Sequence, residues 1–71
     1  MTFFDAVKEM LKGKVVVRDK TAYRIDQLTD RMEMLVNPNL EARAGLDWDD
    51  AENPFFNVTD ILADDWEVVR K

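Results

Sequence analysis

The sequence predicts an α+β fold: an N-terminal helix packed on a small antiparallel β-sheet, with a short C-terminal helix leading into a last strand. Three observations carry this expectation. Apolar side chains recur at helical spacing over residues 3–11, three β-rich runs follow with turn residues between them, and the C-terminal stretch joins capping residues to a β-branched run. At 71 residues the chain is expected to form one domain, 1–71. A domain of this size hides only about 60% of the surface its unfolded chain exposes, so its core is thin and oligomerisation is one way to complete it.

Thr2 is placed to cap the first helix, with Asp5 three residues on as a near variant of the capping box. Phe3, Ala6, Val7, Met10 and Leu11 form the apolar stripe, and Asp5, Lys8, Glu9 and Lys12 face away. Gly13 stops the helix, since glycine takes the left-handed conformation that closes helices. "KVVVR", Lys14 to Arg18, reads as a strand with Val15 and Val17 on one face and Lys14, Val16 and Arg18 on the other. "TAYRID" puts Tyr23 and Ile25 on the face opposite Arg24, after a tight turn at "DKT". "QLTD" turns the chain again before "RMEMLV", which completes an antiparallel meander.

"NPN" at 37–39 ends the third strand, because the residue before a proline is pushed to extended conformation. Leu40 to Ala44 can form a helical turn, and an acidic loop follows around Trp48. Asn57 or Thr59 can cap a short helix containing Ile61 and Leu62, after which Trp66, Val68 and Val69 form a last strand.

Composition narrows function. There is no cysteine and no histidine, which removes disulfides, thiolate nucleophiles, imidazole acid–base chemistry and nearly all zinc and haem sites. No enzymatic activity, cofactor or metal is therefore expected. The N-terminal stretch carries acids and lysines inside its apolar pattern, and no run reaches membrane-spanning length, so a cytoplasmic protein without membrane contact is expected. The net charge is −5; residues 41–67 hold nine acidic residues and one basic residue. Such a balance argues against direct nucleic-acid binding, which needs clustered Lys and Arg.

Three groups of residues are candidates for function. Asp60, Asp64 and Asp65 can be read as a carboxylate cluster or as a helix cap and polar turn, and dipole and turn chemistry favour the second. Lys14, Arg18 and Arg24 would form a basic patch if the first two strands pair with those side chains on one face, and arginine grips phosphate with two donors at once; the alternative is a solvated face neutralised by Asp19 and Asp26. Trp48 can stack on a ligand ring or plug the core edge, and the acidic 47–52 run around it can imitate phosphate toward a basic partner.

Two stretches carry a family resemblance. "FFDAVKEMLKGKVVVR" and "TDILADDWEVV" resemble the ends of small phage-encoded Thoeris anti-defence protein 2-like domains, together covering about a third of the chain. The resemblance implies a homo-oligomer without enzymatic activity that acts as a sponge in the host cytoplasm. Its ligand would be a cyclic nucleotide or cyclic ADP-ribose-type immune signal. By position, Arg18, Thr59, Asp60 and Trp66 match motif residues; with the basic patch and the loop tryptophan, the candidate ligand-binding set is Lys14, Arg18, Arg24, Trp48, Thr59 and Asp60. The competing expectation is a small acidic inhibitor that binds a host defence protein through the 47–52 loop.

Overall fold

A computed structural model describes residues 1–41 and 45–69. Helix α1 (Phe3–Leu11) is followed by strands β1 (Val16–Arg18), β2 (Thr21–Asp26) and β3 (Arg31–Val36), a single 3-10 turn at Trp48–Asp50, helix α2 (Val58–Leu62) and strand β4 (Glu67–Val68). The sheet runs β3-β2-β1-β4 with antiparallel neighbours throughout. The fold is α+β, with α1 packed on the sheet and α2 leading into the last strand.

Helix α1 begins as its sequence dictates: the Thr2 hydroxyl accepts from the Asp5 N–H. It ends in a Schellman turn. Gly13 N–H donates to Met10 O and Lys14 N–H donates to Glu9 O, with Gly13 at φ 88. Ala6 and Met10 are fully buried, and Phe3 and Val7 pack beside them, whereas Leu11 is exposed. The stripe is therefore one residue narrower than its periodicity suggests.

The register corrects the expected faces of β1. Val16 pairs with Tyr23 and Val17 with Ala22, so Val16, not Val15 and Val17, enters the core beneath α1. Three consecutive valines make alternation silent about which face is which, and only pairing with Tyr23 decides it. The strand is also shorter than Lys14–Arg18, since Lys14 belongs to the helix-closing turn. The core combines Ala6, Met10, Val16, Tyr23 and Trp66, with Phe3, Ile25, Met32, Met34 and Phe56 packed against it.

Turn chemistry sets the meander. Asp19 and Lys20 both have positive φ, 49 and 62, between the Arg18–Thr21 pair, which is the two-residue hairpin geometry that matches strand twist. At the second turn the Asp26 carboxylate accepts from Leu28 N–H, and Asp30 takes a φ of 56. Asn37 departs from expectation: its φ is 51, not the extended value that a following proline favours, and its N–H donates to Lys20 O. Asparagine tolerates this region, and the hydrogen bond to the neighbouring hairpin holds it there. The expected helical turn over 40–44 falls in part on 42–44, outside the described residues.

After the 3-10 turn the chain returns along the outer edge of β3, where Met34 and Glu52 exchange two backbone hydrogen bonds of 3.1 and 2.9 Å. The last strand begins one residue later than expected. Trp66 lies before it and fills the core, and Val69 N–H continues the ladder to Val15 O.

Two positive-φ positions predict opposite outcomes. A Cβ at Gly13 would meet nothing within 4 Å, so Gly13→Ala costs only backbone strain, about 1 kcal/mol. Lys20→Gly relieves strain of the same origin and gains somewhat less, about 0.5 kcal/mol after glycine's own entropy cost. Thermal melts should move in opposite directions, by about 4–8 °C per kcal/mol for a domain of this size.

Candidate functional site

The six candidate side chains divide between two places. The expected basic patch does not form, because the register sets Arg18 on the α1 side of the sheet with Val16, while Arg24 emerges on the opposite side with Val17 and Ala22. The error in β1's faces propagated directly to this patch.

Arg18, Thr59 and Asp60 meet at the C-terminal corner. Asn57 caps α2 by accepting from Asp60 N–H, and the Asp60 carboxylate accepts from Asn57 N–H in return, a reciprocal capping box. Arg18 donates to Asp60 through Nη1 at 2.6 Å and to Asp65 through Nε at 2.8 Å. The carboxylate of Asp65 beside the guanidinium is the main cause that raises the Arg18 pKa above its ordinary value. Trp66 Nε1–H donates to the Asp60 carbonyl at 2.9 Å. These acids thus do structural work: Asp60 caps a helix and, with Asp65, neutralises Arg18. Thr59 is exposed beside them. Among the described residues no group of His, Cys, Asp or Glu is arranged to hold a metal ion.

Lys14 and Trp48 meet elsewhere, and Arg24 reaches that place only through the indole. A groove of about 660 Å³ opens between the end of α1, the edge of the sheet and the segment leading into the 3-10 turn. Glu9, Lys14, Val15, Leu46, Trp48, Val68 and Val69 are the side chains that matter there, with Gly13 beneath them. The Schellman turn brings Lys14 back over Glu9, and Asp47 fixes the 3-10 turn by accepting from Asp49 N–H. Trp48 is half-buried. The Arg24 guanidinium stacks over its ring, 4.6 Å from the centroid, and is itself held by the cross-strand carboxylate of Glu33 at 2.8 Å. Arg24 packs on the indole and does not line the groove.

Lys14 is the candidate cation that faces this space, and its partner is Glu9. Glu9 Oε2 lies 2.9 Å from Lys12 Nζ and Oε1 lies 3.4 Å from Lys14 Nζ. The hydrogen bond from Lys12, more than that from Lys14, holds the Glu9 pKa below its ordinary value of 4.5. Glu9, Leu46, Val68 and Val69 also line the groove and were not among the candidates read from sequence. Glu9 was detectable, because a glycine four residues on and a lysine five residues on are what a helix-closing turn needs to fold back; nothing local announces Leu46.

Compared with known proteins, the chain matches no family model, no curated protein and no solved structure.

A lowered carboxylate pKa gives stability that is present above the unfolded value and lost as pH falls through the folded one. The stability gap between wild type and Glu9→Gln should therefore be constant near neutrality. It should close as pH drops below 4.5, the ordinary value for Glu9. Melting temperatures of both proteins between pH 7 and pH ~2.5 measure this, a range that spans the titration of surface carboxylates.

Proposed function

We propose that the chain is a non-enzymatic sponge that holds a cyclic nucleotide-type signal in the groove at Lys14 and Trp48. The observation that carries this reading is the convergence of one indole, one lysine and an apolar wall of Val15, Leu46, Val68 and Val69 on a single concavity. Its volume of about 660 Å³ suits a small ligand. The indole, backed by Arg24, offers a fixed stacking surface for a base, and Lys14 supplies the cation for a phosphate. Lys14 takes this role in place of Arg18 and Arg24, whose guanidinium groups are already engaged by carboxylates.

The resemblance of residues 3–18 and 59–69 to phage anti-defence sponges supplies the biological setting: sequestration of a host immune signal in the cytoplasm, with the ligand held uncleaved. Self-association belongs to the same proposal. Val58 and Leu62, four apart on α2, are 70% and 78% exposed and would be covered by a second copy.

Calorimetry against cyclic mononucleotides, cyclic dinucleotides and cyclic ADP-ribose isomers tests the groove. At least one ligand should bind wild type and be recovered intact. Trp48→Ala should weaken it by about tenfold or more, since base stacking contributes about 1–3 kcal/mol. A folded sample that gives no heat with any of them overturns the reading.

A second reading rests on a different observation. Asp47, Asp49 and Asp50 stand exposed on one short, capped turn, a fixed spacing of carboxylates that suits a basic protein surface. As an inhibitor of a host defence protein, the chain should recover one partner from host lysate, and the triple substitution of these aspartates by asparagine should abolish recovery.

A further inference from the structure

Glu9 is out of place in a groove that reads only phosphate. An ionised carboxylate in contact with the ligand space repels an anion, and Glu9, like any carboxylate with a pKa at or below 4.5, is charged at neutral pH. Its two oxygens are unequally occupied. Oε2 is bound by Lys12 at 2.9 Å, whereas among the described residues Oε1 has only the long 3.4 Å contact with Lys14, well beyond the usual charge-assisted distance of about 2.7–2.9 Å. The Glu9 side chain is 22% exposed and that of Lys14 is 50% exposed, so both are accessible from the groove. One loosely held anionic acceptor therefore sits beside one loosely held cation, with an indole lining the same groove.

The ligand chemistry that satisfies all three at once has a flat ring, a hydroxyl donor and an anionic group a few bonds from that hydroxyl. A ribonucleotide has this arrangement: base, 2′-hydroxyl and phosphate. We propose that Glu9 is the specificity-determining residue of the groove, its Oε1 accepting a hydrogen bond from a ribose hydroxyl while Lys14 turns from Glu9 to the phosphate. This inference rests on the sponge reading and adds a selection that the sponge reading does not require. Carboxylate acceptance of a ribose hydroxyl is an established way of recognising nucleotides in other folds, and it works because a hydroxyl to an ionised acceptor makes a strong hydrogen bond.

The test is calorimetry of wild type, Glu9→Gln and Glu9→Ala with the 3′,5′-cyclic mononucleotides and cyclic dinucleotides of adenine and guanine, each paired with its 2′-deoxy counterpart. Wild type should prefer the ribo form by about tenfold, as a charge-assisted hydrogen bond allows. Glu9→Ala should bring that ratio to about one, without weakening the 2′-deoxy ligands, because removing the carboxylate also removes its repulsion of phosphate. Glu9→Gln should fall between, as a neutral acceptor. Circular dichroism of each variant checks that it is folded. A wild-type ratio near one, or a preference that survives in Glu9→Ala, overturns the inference and leaves the groove reading standing. No heat from the whole panel overturns the inference, and no heat from cyclic ADP-ribose isomers as well overturns the groove reading with it.

Discussion

A core this small is organised around a single side chain, the indole of Trp66. It is 1% exposed and lies within ring-packing distance of Phe3, Tyr23 and Phe56, at centroid separations of 5.5, 5.3 and 6.2 Å. Those three rings come from α1, β2 and the segment before α2, so one residue ties every layer together. Its only polar atom, the indole N–H, is matched by the Asp60 carbonyl, which removes the desolvation cost of burying it. The backbone N–H of Trp66 donates to Met1 O, which also fixes the chain entering α1. In a domain that hides so little surface, losing this residue would remove the joint and not merely one contact.

The acids at the C-terminal corner follow from that constraint. The indole reaches the Asp60 carbonyl only if α2 ends one turn after its cap and the chain then reverses into β4. The reciprocal capping of Asn57 and Asp60 starts the helix at the right residue, and Arg18 bridges Asp60 to Asp65 across the reversal. The Arg18 side chain is 15% exposed, so its charge needs these partners. An arginine at the end of β1 therefore acts as a clamp on the far end of the chain. Among the described residues no buried side-chain polar atom lacks a hydrogen-bond partner, consistent with a corner built to be closed.

The other side of the sheet is under looser constraint, and the groove opens at the sheet edge, between that side and the end of α1. Ala22 and Leu35 are buried on that side, where the 3-10 turn packs against β3. A short turn carrying Trp48, braced by Arg24 and Glu33, covers part of the surface and leaves a concavity toward the end of α1. Lys14 and Glu9 face it because a glycine-closed helix end returns the chain over its own last turn. Rigid backing with polar groups left partly engaged is the arrangement a binding site needs, since the ligand then replaces weak contacts and not strong ones.

Much of the fold was legible in local sequence. The Thr2 cap, the Gly13 stop, the three-strand meander, the Asn57 cap and the helix-to-strand corner at 60–66 each depend on residues within a few positions of one another, and local hydrogen bonding decides such features. What sequence could not settle was the facing of β1, because Val15, Val16 and Val17 are equally apolar and only the pairing of Val16 with Tyr23 breaks the tie. The candidate site inherited that ambiguity: Lys14, Arg18 and Arg24 looked like one patch, yet the register sends the two arginines to opposite sides of the sheet. Residue types suited to binding were readable along the chain, but their grouping was not. The meeting of Glu9 and Lys14 with Trp48, Leu46, Val68 and Val69 joins segments up to 60 residues apart, and tertiary packing alone determines which of these side chains share a surface.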